Sequence, residues 1–122
     1  MANGTITITL DGVTTTQQSL VLQIQDGAFV LADGPATSVS NITGFTGVSL
    51  APSAVAFTAP TGTAIGGTLT LTATRGAQDP ALTLSGFTSA PGMPMVAWQT
   101  ADGGMEEEDL SSGQVVLGGF GG

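Results

Sequence analysis

The opening run Thr5-Ile6-Thr7-Ile8-Thr9-Leu10 alternates polar and apolar residues at every step and stops at Asp11-Gly12. A period of two places successive side chains on opposite faces of an extended chain, so this run can bury one face of a strand but not a helical stripe. The same pattern returns in residues 68–74, where Leu69, Leu71 and Ala73 alternate with four threonines. Short blocks of this kind, separated by Gly, Pro, Asp and Asn, recur along the 122 residues. They predict strands with one wet face, since Thr is favoured on a pleated surface.

Further strands are expected over residues 37–42, 46–50, 54–59, 81–84, 95–99 and 114–117. Residues 19–32 read as a hairpin about Asp26-Gly27, whose two residues suit a turn with positive φ at both centres. In that register Leu22 faces Leu31 and Ile24 faces Phe29. The same test at Asp11-Gly12 sets Ile8 against Thr15, which breaks the apolar face, so residues 14–18 read as a loop or an edge strand. Residues 105–110, with Glu106, Glu107, Glu108 and Asp109, read as a short exposed helical turn. The predicted fold class is all-β, a single antiparallel sandwich or jelly-roll-like domain of about eight short strands. The domain covers residues 1–117, and residues 118–122 (Gly-Gly-Phe-Gly-Gly) form a flexible tail that stays disordered unless a neighbour holds Phe120.

Composition narrows the function. Charged residues make up 8% of the chain, against roughly 25% in an average soluble domain. Nine acids face one base, Arg75, for a net charge of -8. Phosphate recognition needs several Lys or Arg, so neither nucleic acid nor an anionic membrane is an expected partner. The first ten residues carry no basic segment followed by an apolar stretch, and no apolar run approaches the ~18 residues of a membrane span. This predicts a chain made in a cytoplasm without an export signal.

With no His, Cys, Lys or Tyr, the usual nucleophile–base pairs, Schiff-base chemistry and zinc ligation lose their participants. Carboxylate pairs remain, but Asp11, Asp26, Asp33 and Asp102 each precede Gly, which turn geometry explains. The contiguous run Glu106 to Asp109 lacks the spaced pattern of a calcium loop. No enzyme activity, cofactor or metal is expected.

Three residues are candidates for partner binding. Arg75, the single cation, can anchor a partner's carboxylate or instead pair with Asp79 across the intervening loop. Trp98, with Met93 and Met95 nearby, either forms a binding patch or, as a lone Trp in an alternating strand, joins the core. Phe120 is the anchor the glycine tail offers. Edge strands are normally guarded by Lys, inward charges or Pro. The absence of Lys and the scarcity of charge outside the turns and the acidic run suggest that other subunits cover the edges.

In size, in its Thr-rich and Gly-rich short strands (residues 5–10 and 68–74) and in its glycine tail, the chain resembles small all-β capsid decoration, or cement, proteins of bacteriophages. The resemblance implies a virion structural protein, synthesised in the host cytoplasm, that binds a preformed capsid lattice as a small homo-oligomer. Its protein partners would be that lattice or like subunits, with Phe120 as an anchor, and no functional residue is carried over from the family. The alternatives are an immunoglobulin-like adhesin or tail-fibre module, and the subunit of a β-rich filament assembled by strand donation.

Overall fold

A computed structural model describes residues 3–25, 38–43, 47–51 and 54–121, with the backbone alone at residues 25, 38–43 and 47–51. The described residues form twelve strands and no helix: β1 (Asn3–Thr9), β2 (Val13–Thr15), β3 (Ser19–Gln25), β4 (Ser38–Thr43), β5 (Gly47–Ala51), β6 (Ala54–Thr58), β7 (Ala64–Thr74), β8 (Ala81–Ser85), β9 (Phe87–Ser89), β10 (Met95–Gln99), β11 (Met105–Asp109) and β12 (Gln114–Val116). All pair antiparallel in two sheets, as expected of an all-β sandwich. The strand count exceeds the expected figure of about eight in part because β2, β9 and β11 are too short or too acidic to show an apolar alternation.

The larger sheet has seven strands in the order β11-β10-β1-β7-β2-β9, with β4 also on β7. The two Thr-rich runs are direct neighbours, with Ile6 opposite Leu71 and Ile8 opposite Leu69 on the inner face, and Thr5, Thr7 and Thr9 opposite Thr72, Thr70 and Thr68 on the outer one. Asp11-Gly12 does not reverse the chain. Both β1 and β2 run antiparallel to β7 along one edge, and between Thr9↔Thr68 and Val13↔Ile65 the first chain spends four steps against three. The extra residue makes a bulge, closed by Gly12 at φ 82° and by the Asp11 carboxylate, which accepts the Gly67 N–H at 3.0 Å. This corrects the expectation for residues 14–18, because β2 is paired on both sides, with β7 and β9, and only residues 16–18 bend away.

The smaller sheet runs β12-β8-β3-β6-β5. Its centre is β3, where Leu22 lies between Val55 and Leu84. Both edges of Leu22 are therefore taken, and the partner expected for it across an Asp26-Gly27 turn is replaced by these two. Asp26, Gly27, Phe29 and Leu31 lie outside the described residues, as does Asp33.

Alternate residues of both sheets meet in one core, with Ile6, Ile8, Leu69, Leu71 and Val96 from one side and Leu20, Leu22, Val55, Phe57 and Leu82 from the other, all essentially without solvent contact. Each such side chain contributes on the order of 1.5–3 kcal/mol. The segment expected to be helical is instead β11, paired along its length with β10. Pairing with a strand whose inner row holds Val96 and Trp98 wins over a local helical preference that four adjacent acids only weaken.

Candidate functional site

The chemistry-bearing residues gather at one end of the sandwich. Along β7 the inward row runs Leu69, Leu71, Ala73, and the next inward position is Arg75. Along β1 the matching row runs Ile8, Ile6, Gly4, with Gly4 opposite Ala73. Side-chain volume thus falls away toward this end, and the space is filled by Phe120, which is fully buried.

A Cβ on Gly4 would lie 2.5 Å from Arg75 Nη2 and 2.8 Å from Phe120 Cε2, so only glycine admits both. The Arg75 guanidinium carbon stands 4.5 Å from the centre of the Phe120 ring. Arg75 Nη1 donates to the Phe120 carbonyl at 2.7 Å, and Nη2 donates to the carbonyls of Gln99 at 2.8 Å and Thr100 at 3.4 Å. Three acceptors and an aromatic face replace the water this 6%-exposed cation has lost.

The neighbouring glycines are held as firmly. Trp98 Nε1 donates to the Gly118 carbonyl at 2.8 Å, and the Ala101 N–H donates to the Gly119 carbonyl at 2.8 Å. Asp79 Oδ2 accepts the Gly119 N–H at 3.1 Å, and its Oδ1 accepts the Gly121 N–H at 2.9 Å. Through residue 121, therefore, the segment expected to be a flexible tail is pinned into its own chain. The backbone entropy of the glycines is offset by paired amides and one buried ring.

Phe120, Trp98 and Arg75, three separate candidates for partner binding, lie together in the structure, and at 0%, 2% and 6% exposure they form an internal clasp and offer no surface to a partner. Arg75 takes carbonyls, while Asp79 is committed to the tail amides, which corrects the expected Arg75–Asp79 pair. Gly4 and Asp79 were not singled out for this role. The one signal for Gly4 was its place as the third inward position of an apolar row.

Beside the clasp opens a bay of about 510 Å³, lined among others by Thr100, Asp102, Gly104, Met105, Glu106 and Gly119. Asp102 Oδ1 accepts from the Thr100 hydroxyl and, at 3.0 Å, from the Gly104 N–H. These bonds, the hydroxyl first, hold its carboxyl below the ordinary value of 3.8, so it is an ionised acceptor and a poor proton donor at neutral pH. The bay offers the carboxylates of Asp102 and Glu106 and the thioether of Met105. Among the described residues no three metal-ligating side chains converge.

Comparison with protein-family models, with curated proteins and with solved structures returned no match. Function must be argued from surfaces.

The surfaces divide sharply by charge. Among the described residues, Asp79, Asp102 and the four acids of β11 lie around the clasp and along one sheet edge, and Asp11 lies in the β1–β2 bulge. The broad outer face of the larger sheet carries the paired threonines of β1 and β7, flanked by Met95, Ala97 and Gln99 on β10. Among the described residues the threonine rows themselves carry no charge, with Asp11 in the bulge at one end of them and the acids of β11 at the sheet edge. That edge has its own guard: Glu106 and Glu108 stand in register with Trp98 and Val96 on the inward row yet remain exposed. Inward charges of this kind stop a sheet from adding strands. At one edge of the smaller sheet, β12 is three residues long, and its outward carbonyls are occupied, Gln114 O by the Ser112 hydroxyl and Val116 O by the Gly118 N–H.

Proposed function

We propose that this chain is a virion structural protein of the capsid-decoration kind, which binds a preformed protein lattice, as a small closed oligomer, through the uncharged outer face of its larger sheet. The observation that carries the reading is the segregation of charge among the described residues: their acids lie around the clasp, in the β1–β2 bulge and along β11, and the paired threonine rows of β1 and β7 carry none. Interface centres are depleted of charge because desolvating an ion costs far more than desolvating a hydroxyl that finds a partner. Thr, with one methyl and one hydroxyl, serves both needs.

Two competing readings lose support. An adhesin-type module would use an exposed Trp98, which is buried. Strand donation by either terminal segment would need seats that the chain fills itself, because β1 lies between β10 and β7 and Phe120 lies in its own core.

Light scattering of the purified chain across a range of concentrations is the first test. A closed oligomer of fixed mass supports the reading, open-ended growth supports a filament, and a monomer at all concentrations favours a free-standing module. Cosedimentation with undecorated shells of the parent virus is the direct assay, and Thr7→Glu with Thr70→Glu is expected to abolish it. Binding that survives both substitutions would sink the threonine face as the docking surface.

A further inference from the structure

The β11 edge differs from the β12 edge in one respect that matters for assembly. In β10 and β11 the register is constant, and the Thr100 N–H donates to Gly104 O while the Leu110 N–H donates to Pro94 O. The even-numbered residues of β11 therefore exchange hydrogen bonds with β10, and the N–H and C=O groups of Met105, Glu107 and Asp109 point away from the sheet. None of these outward backbone groups has a partner among the described residues. Five consecutive residues are all exposed, with Met105 at 65%. The backbone is that of a strand ready to accept another; only the side chains object.

We infer that β11 is a pairing edge for a second copy of this chain, kept open by repulsion among its own glutamates and closed when their charge is removed. The partner strand follows from symmetry. Two antiparallel β11 strands that use their outward groups pair about a two-fold axis at Glu107, so Glu107 faces the second copy's Glu107, Glu106 faces its Glu108, and Met105 faces its Asp109. Every glutamate then stands directly opposite another at roughly 5 Å between Cβ atoms, the arrangement in which like charges destabilise a sheet. An uncharged side chain at these positions removes the objection and leaves three residues per copy free to bond across the axis, extending two seven-stranded sheets into one.

The charged neighbourhood is simple. The β10 side contributes Met95, Val96, Ala97, Trp98 and Gln99, none of them ionisable, and residues 110–113 and 118–121 add no charge. Among the described residues the further acids on this side are Asp102, which lines the bay with Met105 and Glu106, and Asp79, which holds the Gly119 amide of the same bay. The chain's only cation, Arg75, is buried in the clasp and cannot neutralise the edge. This inference concerns a surface other than the threonine face and does not depend on the capsid reading.

The test is a charge-removal series read as solution mass by light scattering at neutral pH. Glu106→Gln/Glu107→Gln/Glu108→Gln is expected to raise the solution mass above that of the wild type, twofold where the wild type is a monomer and at least twofold where it is a closed oligomer with one such edge per subunit, with dissociation on dilution. A control that removes three acids from other parts of the sequence, Asp11→Asn/Asp26→Asn/Asp33→Asn, has the same net charge and is expected to keep the wild-type mass. Replacing Glu107 by Pro within the first set, as Glu106→Gln/Glu107→Pro/Glu108→Gln, deletes an outward N–H without touching the β10 ladder. It should restore the wild-type mass with an unchanged circular dichroism spectrum. The inference is overturned if the glutamine variant does not gain mass, if the control gains as much, or if the proline variant still gains it.

Discussion

Arg75 and Phe120, forty-five residues apart, hold each other twice: the guanidinium lies over the ring at 4.5 Å and donates to the same residue's carbonyl at 2.7 Å. A ring and a carbonyl from a glycine-flanked residue thus neutralise the cost of burying the chain's one cation, and the cation in turn fixes an otherwise floppy end. Phe120→Ala is expected to lower stability by about 3–5 kcal/mol, the range for emptying a buried aromatic site. Urea unfolding followed by circular dichroism measures it, and a change within error would mean that the tail is not part of the core.

Trp98 supplies a second readout of the same contact. It is the only Trp, it is 2% exposed, and its indole N–H is bonded to Gly118. Truncation after Leu117 should shift its fluorescence to longer wavelength and raise its accessibility to iodide while the far-ultraviolet circular dichroism stays that of a β protein. An unshifted emission maximum would contradict the docked tail.

Gly4→Ala should destabilise by about 1–3 kcal/mol, because a methyl there meets Arg75 and Phe120 at 2.5–2.8 Å, although alanine is ordinarily the better residue in a strand. The clash shares its atoms with the clasp. In a double-mutant cycle, Gly4→Ala should therefore cost clearly less when Phe120 is already alanine; strict additivity would show that the two sites do not touch.

Thr83, on β8 between Gln23 and Gln114, holds a buried hydroxyl without a hydrogen-bond partner among the described residues. Thr83→Val keeps the shape and removes the unmet polar group, so stability should rise by about 1 kcal/mol. A drop in the urea midpoint would indicate that the hydroxyl is bonded after all.

Asp102 and Asp109 both have carboxyls held below the ordinary 3.8, Asp102 chiefly by the Thr100 hydroxyl and Asp109 chiefly by Ser111. The unfolded chain binds these protons more readily than the folded one. Their contribution is therefore present above pH 3.8 and is lost as pH falls through the lower folded values. Denaturation midpoints measured from pH 6 down to pH 2 should fall at the acid end, and Asp102→Asn should make that fall shallower. An identical acid limb in the variant would remove Asp102 as a contributor.

How much of this was legible can be seen residue by residue. The inward faces of β1, β3 and β7 could be read directly, because Ile6, Ile8, Leu20, Leu22, Leu69 and Leu71 follow a period of two that only a strand can bury. Alternation and turn chemistry are local properties, so they specified the all-β class, and the charge count set the expectation against phosphate-rich partners before any fold was known. Which strands meet was not local. Leu22 has an equally plausible apolar partner in Leu31, in Val55 and in Leu84, and only the closing of the whole sheet chooses the last two. Residues 105–109 carry no apolar face at all and become a strand because β10 supplies a ladder for them. The tail reads as disordered by its glycines, and it is ordered by a cavity that Gly4 and Ala73 leave on two other strands. The sequence by itself determined strand content and which faces turn inward, since these depend on neighbours along the chain. Tertiary structure decided the partners of Leu22, Arg75 and Asp79 and the docking of Phe120, since each depends on residues that are distant in sequence and become neighbours only when both sheets have formed.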